Sequence, residues 1–96
     1  MSRGKKKISA DSRVSQHPDI ASRTIDDQEV VVVPATRKLQ ILNEVATRIW
    51  ELCDGRSVGD ITDAIVEEFD VKPSVARRDA LELVEDMHER GMVVIE

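Results

Sequence analysis

Short apolar runs with strand-like composition follow residue 21 of the chain. Residues 22–25 and 29–33 are two such runs, separated by turn-forming residues at 26–28, and the valines at 30–33 favour extended backbone. Pro34 ends the second run. In residues 37–42 apolar and polar side chains alternate, which is the period of a half-buried strand. The pattern therefore predicts an antiparallel meander of three strands.

From residue 43 the apolar residues recur at helical spacing. Asn43 is a typical N-cap for a first helix that Asp54 and Gly55 end, and Ser57 begins a second helix. Pro73 suits the first turn of a third helix, which continues to Gly91. Residues 92–95 return to a β-like run. The apolar stripes of the three helices are Val45, Ala46, Ile49, Trp50 and Cys53; Val58, Ile61, Ile65 and Phe69; and Ala76, Ala80, Leu83 and Met87.

The order of these elements predicts the fold class. Three strands followed by three helices are typical of an α+β domain of winged helix-turn-helix type, formed by residues 21–96. Residues 1–20 are rich in polar and charged side chains and contain few apolar ones, so we expect a flexible, basic N-terminal tail. Lacking the apolar core of a signal peptide or any long apolar run, the chain is expected to be soluble and cytoplasmic.

Composition argues against catalysis, metals and cofactors. The aromatic residues are Trp50 and Phe69 alone, too few for a surface on which nucleic-acid bases stack. With one cysteine, Cys53, and two histidines, the chain has too few ligands for a zinc site. Cys53 lies on the apolar face of the first helix and His88 has no nucleophile near it in sequence, so neither predicts an active site. We expect no enzyme and no cofactor.

Charge is distributed unevenly along the chain. The formal net charge is -5, but residues 43–96 carry six cations against fourteen anions, whereas residues 1–42 carry an excess of cations. DNA binding requires cations that neutralise phosphates, and the third helix offers only Arg77 and Arg78 before a run of carboxylates. Nucleic acid is therefore the less favoured partner, and a DNA-binding winged-helix regulator is kept as the alternative function.

One flank of the third helix is a candidate binding surface. At about 100° per residue, an apolar stripe bounded by an arginine and a histidine lies beside the core face. Such a stripe suits a groove for an extended peptide, whose carboxylates the arginine would hold. Equally, its two aliphatic residues would simply widen the core face. The residues of this flank are Arg77, Leu81, Val84 and His88.

The last strand of the meander is the second candidate. If residues 37–42 form an edge, their unpaired amides and carbonyls accept an added strand. Arg37 and Lys38 would favour an acidic guest, or would instead keep the edge from pairing at all. Edge-to-edge pairing of two copies into a homodimer is a third alternative.

Several motifs in combination resemble the family of the pyrroloquinoline quinone biosynthesis protein D, over about residues 22–95. They include the Leu-Asn opening of the first helix, the Asp-Gly between the first two helices and the closing Arg-Gly-hydrophobic segment. The residues that carry the resemblance are Leu42-Asn43-Glu44, Ile49-Trp50-Glu51-Leu52-Cys53-Asp54-Gly55, Val58, Asp60-Ile61, Phe69, Leu83 and His88-Glu89-Arg90-Gly91-Met92-Val93.

The resemblance implies a non-catalytic peptide recognition element. Such a protein captures a ribosomally made precursor peptide as a strand added to the third strand and packed against the third helix. It then delivers the peptide to a modifying enzyme, often a radical S-adenosylmethionine enzyme, in pyrroloquinoline quinone synthesis or a related pathway. Carried over by position, the cleft residues would be Lys38, Leu39, Gln40 and Ile41 on the strand and Arg77, Leu81, Val84 and His88 on the helix.

Overall fold

The computed structural model describes residues 8–96, which form six strands and three helices. The elements pack into two three-stranded antiparallel sheets and a layer of helices, so the α+β class is confirmed. The winged-helix description holds only as an analogy for the order of the elements. In chain order the elements are β1 (Arg13–Gln16), β2 (Ser22–Ile25), β3 (Gln28–Val32), β4 (Leu39–Ile41), α1 (Glu44–Glu51), β5 (Asp54–Ser57), α2 (Val58–Phe69), α3 (Pro73–Glu89) and β6 (Val93–Ile95).

The predicted meander is present as the sheet β2-β3-β4. Its first hairpin has a two-residue turn in which Asp26 and Asp27 both have positive φ, 52° and 67°. Two successive positive φ angles are the geometry that matches the twist of a tight hairpin, and aspartate tolerates them better than most residues. β3 then pairs with β4 in a register that sets Val31 against Gln40 and Val32 against Leu39.

A second sheet, β5-β1-β6, was not predicted. β1 is its central strand: Val14 pairs with Ile95 of β6, and Arg13 pairs with Ser57 of β5. Ile8 and Val14 are buried in the core. Residues 8–20 therefore belong to the folded domain, which differs from the predicted flexible tail. The part of that prediction that concerns residues 1–7 lies outside the described residues.

The helix boundaries follow the predicted capping residues. The Asn43 side chain accepts a hydrogen bond from the Ala46 amide at 2.8 Å, and the Ser57 hydroxyl accepts one from the Asp60 amide at 3.1 Å. Pro73 opens α3, and Gly91 follows its C-cap with a φ of 76°, as a C′ glycine does. The first helix is shorter than predicted, because α1 ends at Glu51 and the chain enters β5 at Asp54.

One buried threonine joins the meander to the helices. The Thr47 hydroxyl on α1 accepts a hydrogen bond from the Glu29 amide of β3 and donates one to the Leu42 carbonyl, both at 3.0 Å. The Leu42 amide in turn donates to the Glu29 carbonyl at 2.8 Å. Because all three residues are buried, these bonds are shielded from water and fix the corner at which β4 passes into α1.

We predict that Thr47→Val destabilises the domain by about 1–3 kcal/mol, because the Glu29 amide and the Leu42 carbonyl would each lose a buried partner. Urea unfolding measures the change. Thr62→Val is the matched control: its buried hydroxyl bonds only to the Val58 carbonyl one helical turn earlier, which keeps its helical N–H partner. Equal losses in the two variants would contradict the structural role given to Thr47.

Cys53 is packed in the core with 2% of its surface exposed, as the sequence predicts. Burial, assisted by the charge of Asp54, raises the pKa of its thiol from 9.0 to about 12. A thiol that stays protonated in apolar surroundings is a poor nucleophile. Cys53 is therefore a core residue and not a reactive one.

This pKa difference predicts a pH dependence of stability. The unfolded chain releases the thiol proton near pH 9 and the folded chain only near pH 12, so stability held below pH 9 is lost as the pH rises towards 12. Between pH 8 and pH 10 the free energy of unfolding of the wild type should fall by about 1 kcal/mol more than that of the Cys53→Ala variant, because the variant has no thiol to titrate. Urea titrations at the two pH values measure it, and parallel slopes would contradict the prediction.

Candidate functional site

β4 is an edge strand with one open side. Its ladder bonds to β3 use alternate residues: the Val33 amide donates to the Lys38 carbonyl at 2.8 Å, and the Leu42 amide donates to the Glu29 carbonyl at 2.8 Å. In an antiparallel ladder the intervening residues direct their amides and carbonyls to the other side. Leu39 and Ile41 therefore present their backbone groups to an edge on which no strand pairs within residues 8–96.

The side chains of β4 alternate between the two faces of the sheet. Gln40 is half-buried beside its pairing partner Val31, which faces the core. Leu39 and Ile41 point to the opposite face and are 67% and 65% exposed. Ile25 on β2, 51% exposed, shares that outer face by the same alternation. Exposure of this size on an edge strand is a feature of sheets that pair with something else.

α3 runs alongside β4 in the opposite direction. At one end, a methyl group added to Gly91, just after α3, would lie 4.0 Å from the ring of Pro34, which precedes β4. At the other end, Asn43 follows β4 and lines a cavity together with Asp79 and Leu83 of α3. The segment from Pro34 to Asn43, which contains β4, therefore runs beside the last three turns of α3, and we call the space between the open edge of β4 and these turns the groove.

The cavity at the Asn43 end of the groove has a volume of about 360 Å³. Its walls come from α1, α2 and α3 and are mostly aliphatic, with Asn43 and Asp79 as the polar members. A volume in the lower part of the range for ligand pockets suits apolar side chains better than a large cofactor. The larger aliphatic residues of the lining are Val45, Ile49, Ile65, Val71, Val75 and Leu83.

The structure brings the predicted strand residues together at the open edge but does not place all of the predicted helix residues at the surface. Lys38, Leu39, Gln40 and Ile41 lie together on or beside the open edge. Val84 has no exposed surface and belongs to the core, which corrects the prediction that it lines a groove. This outcome is the alternative that the helical wheel left open, in which Val84 widens the core face of α3.

The other three helix residues do not line the cavity. Arg77 and His88 are exposed, and Leu81 is half-buried against the core. The cavity is lined instead by the opposite flank of α3, through Val75, Asp79 and Leu83. The sequence signal that could have indicated this flank is the spacing of Val75 and Leu83, which are eight residues, or about two helical turns, apart with Asp79 between them. Hydropathy does not distinguish the two flanks, because it locates only the core side.

Ion pairs hold two walls of the cavity together. The Arg48 guanidinium on α1 bonds to Glu68 on α2 at 2.7 Å and to Glu51 at 3.2 Å. The hydrogen bonds to Glu68 and Glu51 raise the pKa of Arg48, and the same contact with Arg48 lowers the pKa of Glu68. All three side chains are more than a third exposed, so the pairs orient α1 against α2 more than they stabilise the fold.

The features of the groove suit the binding of an extended segment. Among residues 8–96 no three His, Cys, Asp or Glu side chains are grouped so as to hold a metal ion. No helix in the same range is long and apolar enough to cross a bilayer. The groove offers an open strand edge, an apolar cavity and surface charges, which together suit an extended peptide.

Comparison with known proteins identifies relatives. A family model described as coenzyme PQQ synthesis protein D (PqqD) matches residues 29–93. The PqqA binding protein of Bradyrhizobium diazoefficiens is 26% identical over 69 residues, which are 71% of this chain and 67% of that protein.

Solved structures with a similar fold include the following three chains. Lasso peptide synthetase B1 complexed with the leader peptide is 28% identical with a TM-score of 0.72, over 85% of this chain and 98% of the other. TbiB1 in complex with the TbiA(beta) leader peptide is 26% identical with a TM-score of 0.74, over 82% and 93%. The PqqD truncation of Methylobacterium extorquens PqqCD, a recognition element for ribosomally synthesised and post-translationally modified peptides, is 18% identical with a TM-score of 0.68, over 84% and 87%, and shares the fold. Since the family model extends over more than half of the sequence, the chain belongs to the PqqD family.

Proposed function

We propose that this protein is a non-catalytic adaptor that captures a ribosomally synthesised precursor peptide and presents it to a modifying enzyme. The observation that carries the proposal is the open edge of β4, which runs beside α3 and is followed, at Asn43, by an apolar cavity. Capture is by strand addition, in the cytoplasm, within the synthesis of pyrroloquinoline quinone or of another peptide-derived product.

Strand addition explains how one edge binds a peptide with modest sequence demands. The amides and carbonyls of Leu39 and Ile41 supply main-chain hydrogen bonds that any extended guest can satisfy. Alternate guest side chains then point to the groove, where the cavity accepts an apolar residue, and to the outer face beside Leu39 and Ile41. Backbone pairing provides affinity, and the cavity provides a preference for an apolar side chain in the guest.

The relatives support this proposal. Two solved structures that share more than a quarter of their residues with this chain are complexes with leader peptides, and the curated relative is named for binding PqqA. The family resemblance adds the modifying enzyme, often a radical S-adenosylmethionine enzyme, as the second partner. The DNA-binding alternative gains nothing from the structure, since Arg78 of α3 is 3.5 Å from Asp79 and carboxylates follow along the helix.

The two flanks of α3 can be distinguished by paired substitutions. We predict that Leu83→Ala weakens peptide binding about 5- to 30-fold, because Leu83 lines the cavity that an apolar guest side chain fills. Leu81→Ala is the matched control: it changes the same residue type on the same helix, it is also half-buried, and it does not line the cavity. Calorimetric titration with PqqA, and with the short ribosomal peptide encoded nearest the gene, measures both variants.

The result is decisive in either direction. A larger loss with Leu81→Ala would return the site to the flank first predicted from the sequence. Equal affinities for wild type and Leu83→Ala would remove the cavity from the binding site. Circular dichroism of both variants confirms that each is folded.

The edge itself is tested at Ile41, whose amide points away from β3. Ile41→Pro removes this outward donor and leaves the ladder bonds to β3, an arrangement that edge strands tolerate. We expect about 2- to 10-fold weaker peptide binding, the contribution of one backbone hydrogen bond. Ile41→Val keeps the amide and is the control. Unchanged affinity in a folded Ile41→Pro variant would argue against strand addition.

A further inference from the structure

The two ends of the groove differ in charge and polarity. One end lies at Pro34 and Gly91, where β4 begins and α3 ends. The other lies at Asn43 and Asp79, where β4 has ended and the cavity opens. A guest strand laid along β4 passes from one end to the other, so its residues meet different surroundings in a fixed order.

The end at which β4 begins is cationic. Arg37 and Lys38 immediately precede β4, both are exposed, and neither has an ion-pair partner among residues 8–96. Lys38 shares the strand face of Gln40, the face turned to the core and the groove. Asp86 on the facing part of α3 is already bonded to Arg90 at 3.0 Å. The side chains of Arg37 and Lys38 are therefore available to a guest carboxylate.

The opposite end is mostly apolar. The aliphatic cavity opens there, and the one carboxylate on its lining, Asp79, is 3.5 Å from the Arg78 guanidinium. The lining of this cavity offers a guest carboxylate no cation, whereas Arg37 and Lys38 at the other end do, so the two ends favour one register of a bound peptide.

The separation of the two ends sets the spacing in the guest. Lys38 and Asn43 are five residues apart along the chain, about 17 Å for an extended segment at ~3.3 Å per residue. A paired guest strand has the same rise, so it spans this distance in about five of its own residues. Antiparallel pairing is the more stable geometry and brings the later residues of the guest to the beginning of β4.

On the basis of the proposed function, we propose that the groove selects precursor segments in which a large apolar residue is followed, about four to six residues later, by an aspartate or glutamate. The cavity takes the apolar side chain, and Arg37 and Lys38 take the carboxylate. The binding site thus reads a spaced pair of residues and the direction of the peptide.

Selection from random sequences tests this proposal without a known ligand. A displayed library of random peptides of about 12 residues, about 40 Å when extended, covers the whole groove. It is selected against the full chain, against Lys38→Glu and against Arg77→Glu. The last variant is the matched control, because it makes the same charge change on α3 at an exposed position outside the cavity lining.

With the wild type and with Arg77→Glu we expect enrichment of an apolar residue followed by an acidic one at the stated spacing. With Lys38→Glu the apolar preference should remain while the acidic preference is lost or replaced by Lys or Arg. A synthetic peptide from the wild-type selection should bind Lys38→Glu about 2- to 5-fold more weakly, the effect of an exposed ion pair. Fluorescence anisotropy measures this change.

The contrary results separate the two proposals. Enriched peptides that shift the NMR signals of the Leu39 and Ile41 amides but lack the spaced pair, or carry it in reverse order, overturn the selectivity and leave strand capture standing. An acidic preference that disappears with Arg77→Glu and not with Lys38→Glu also overturns it. Failure to enrich any peptide, or shifts confined to other residues, contradicts the proposed function itself.

Discussion

The corner between β4 and α1 is the constraint on which the groove depends. There the Thr47 hydroxyl bridges the Glu29 amide of β3 and the Leu42 carbonyl, and all three residues are buried. Because these bonds fix where the edge strand stops and where the first helix starts, they also fix the distance between the open edge and the cavity beyond it. The edge provides hydrogen bonds and the cavity an apolar contact, and a guest can use both only if this corner is rigid.

Much of the fold was accessible from local sequence signals. The valine run and the Asp-Asp turn define the meander, and Asn43, Ser57 and Pro73 mark the helix starts. The sheet β5-β1-β6 was not accessible, because β1 has one buried aliphatic residue, Val14, and β5 consists of Asp-Gly-Arg-Ser. Such strands form only because partners far along the chain supply their hydrogen bonds, and local composition carries no record of that pairing.

The geometry of the candidate site was accessible from the sequence only in part. The open edge followed from alternation in residues 37–42 together with the end of the meander, both local properties. The flank of α3 that lines the cavity did not, because a helical wheel orients a helix with respect to its core and leaves its rotation towards a third element undetermined. Val84 and Leu83 lie next to each other in sequence, yet one is buried in the core and the other lines the cavity.

The pairing of β1 with β6 has a consequence for how the domain is attached to other proteins. The first and last strands are hydrogen-bonded neighbours, so a partner fused before β1 or after β6 emerges from one sheet, and β4 is not in that sheet. A fusion at either end therefore begins in a sheet that does not contain the open edge of β4. A short linker at this sheet would hold an enzyme at a high effective concentration relative to the captured peptide, which makes covalent tethering and separate subunits interchangeable designs for this domain.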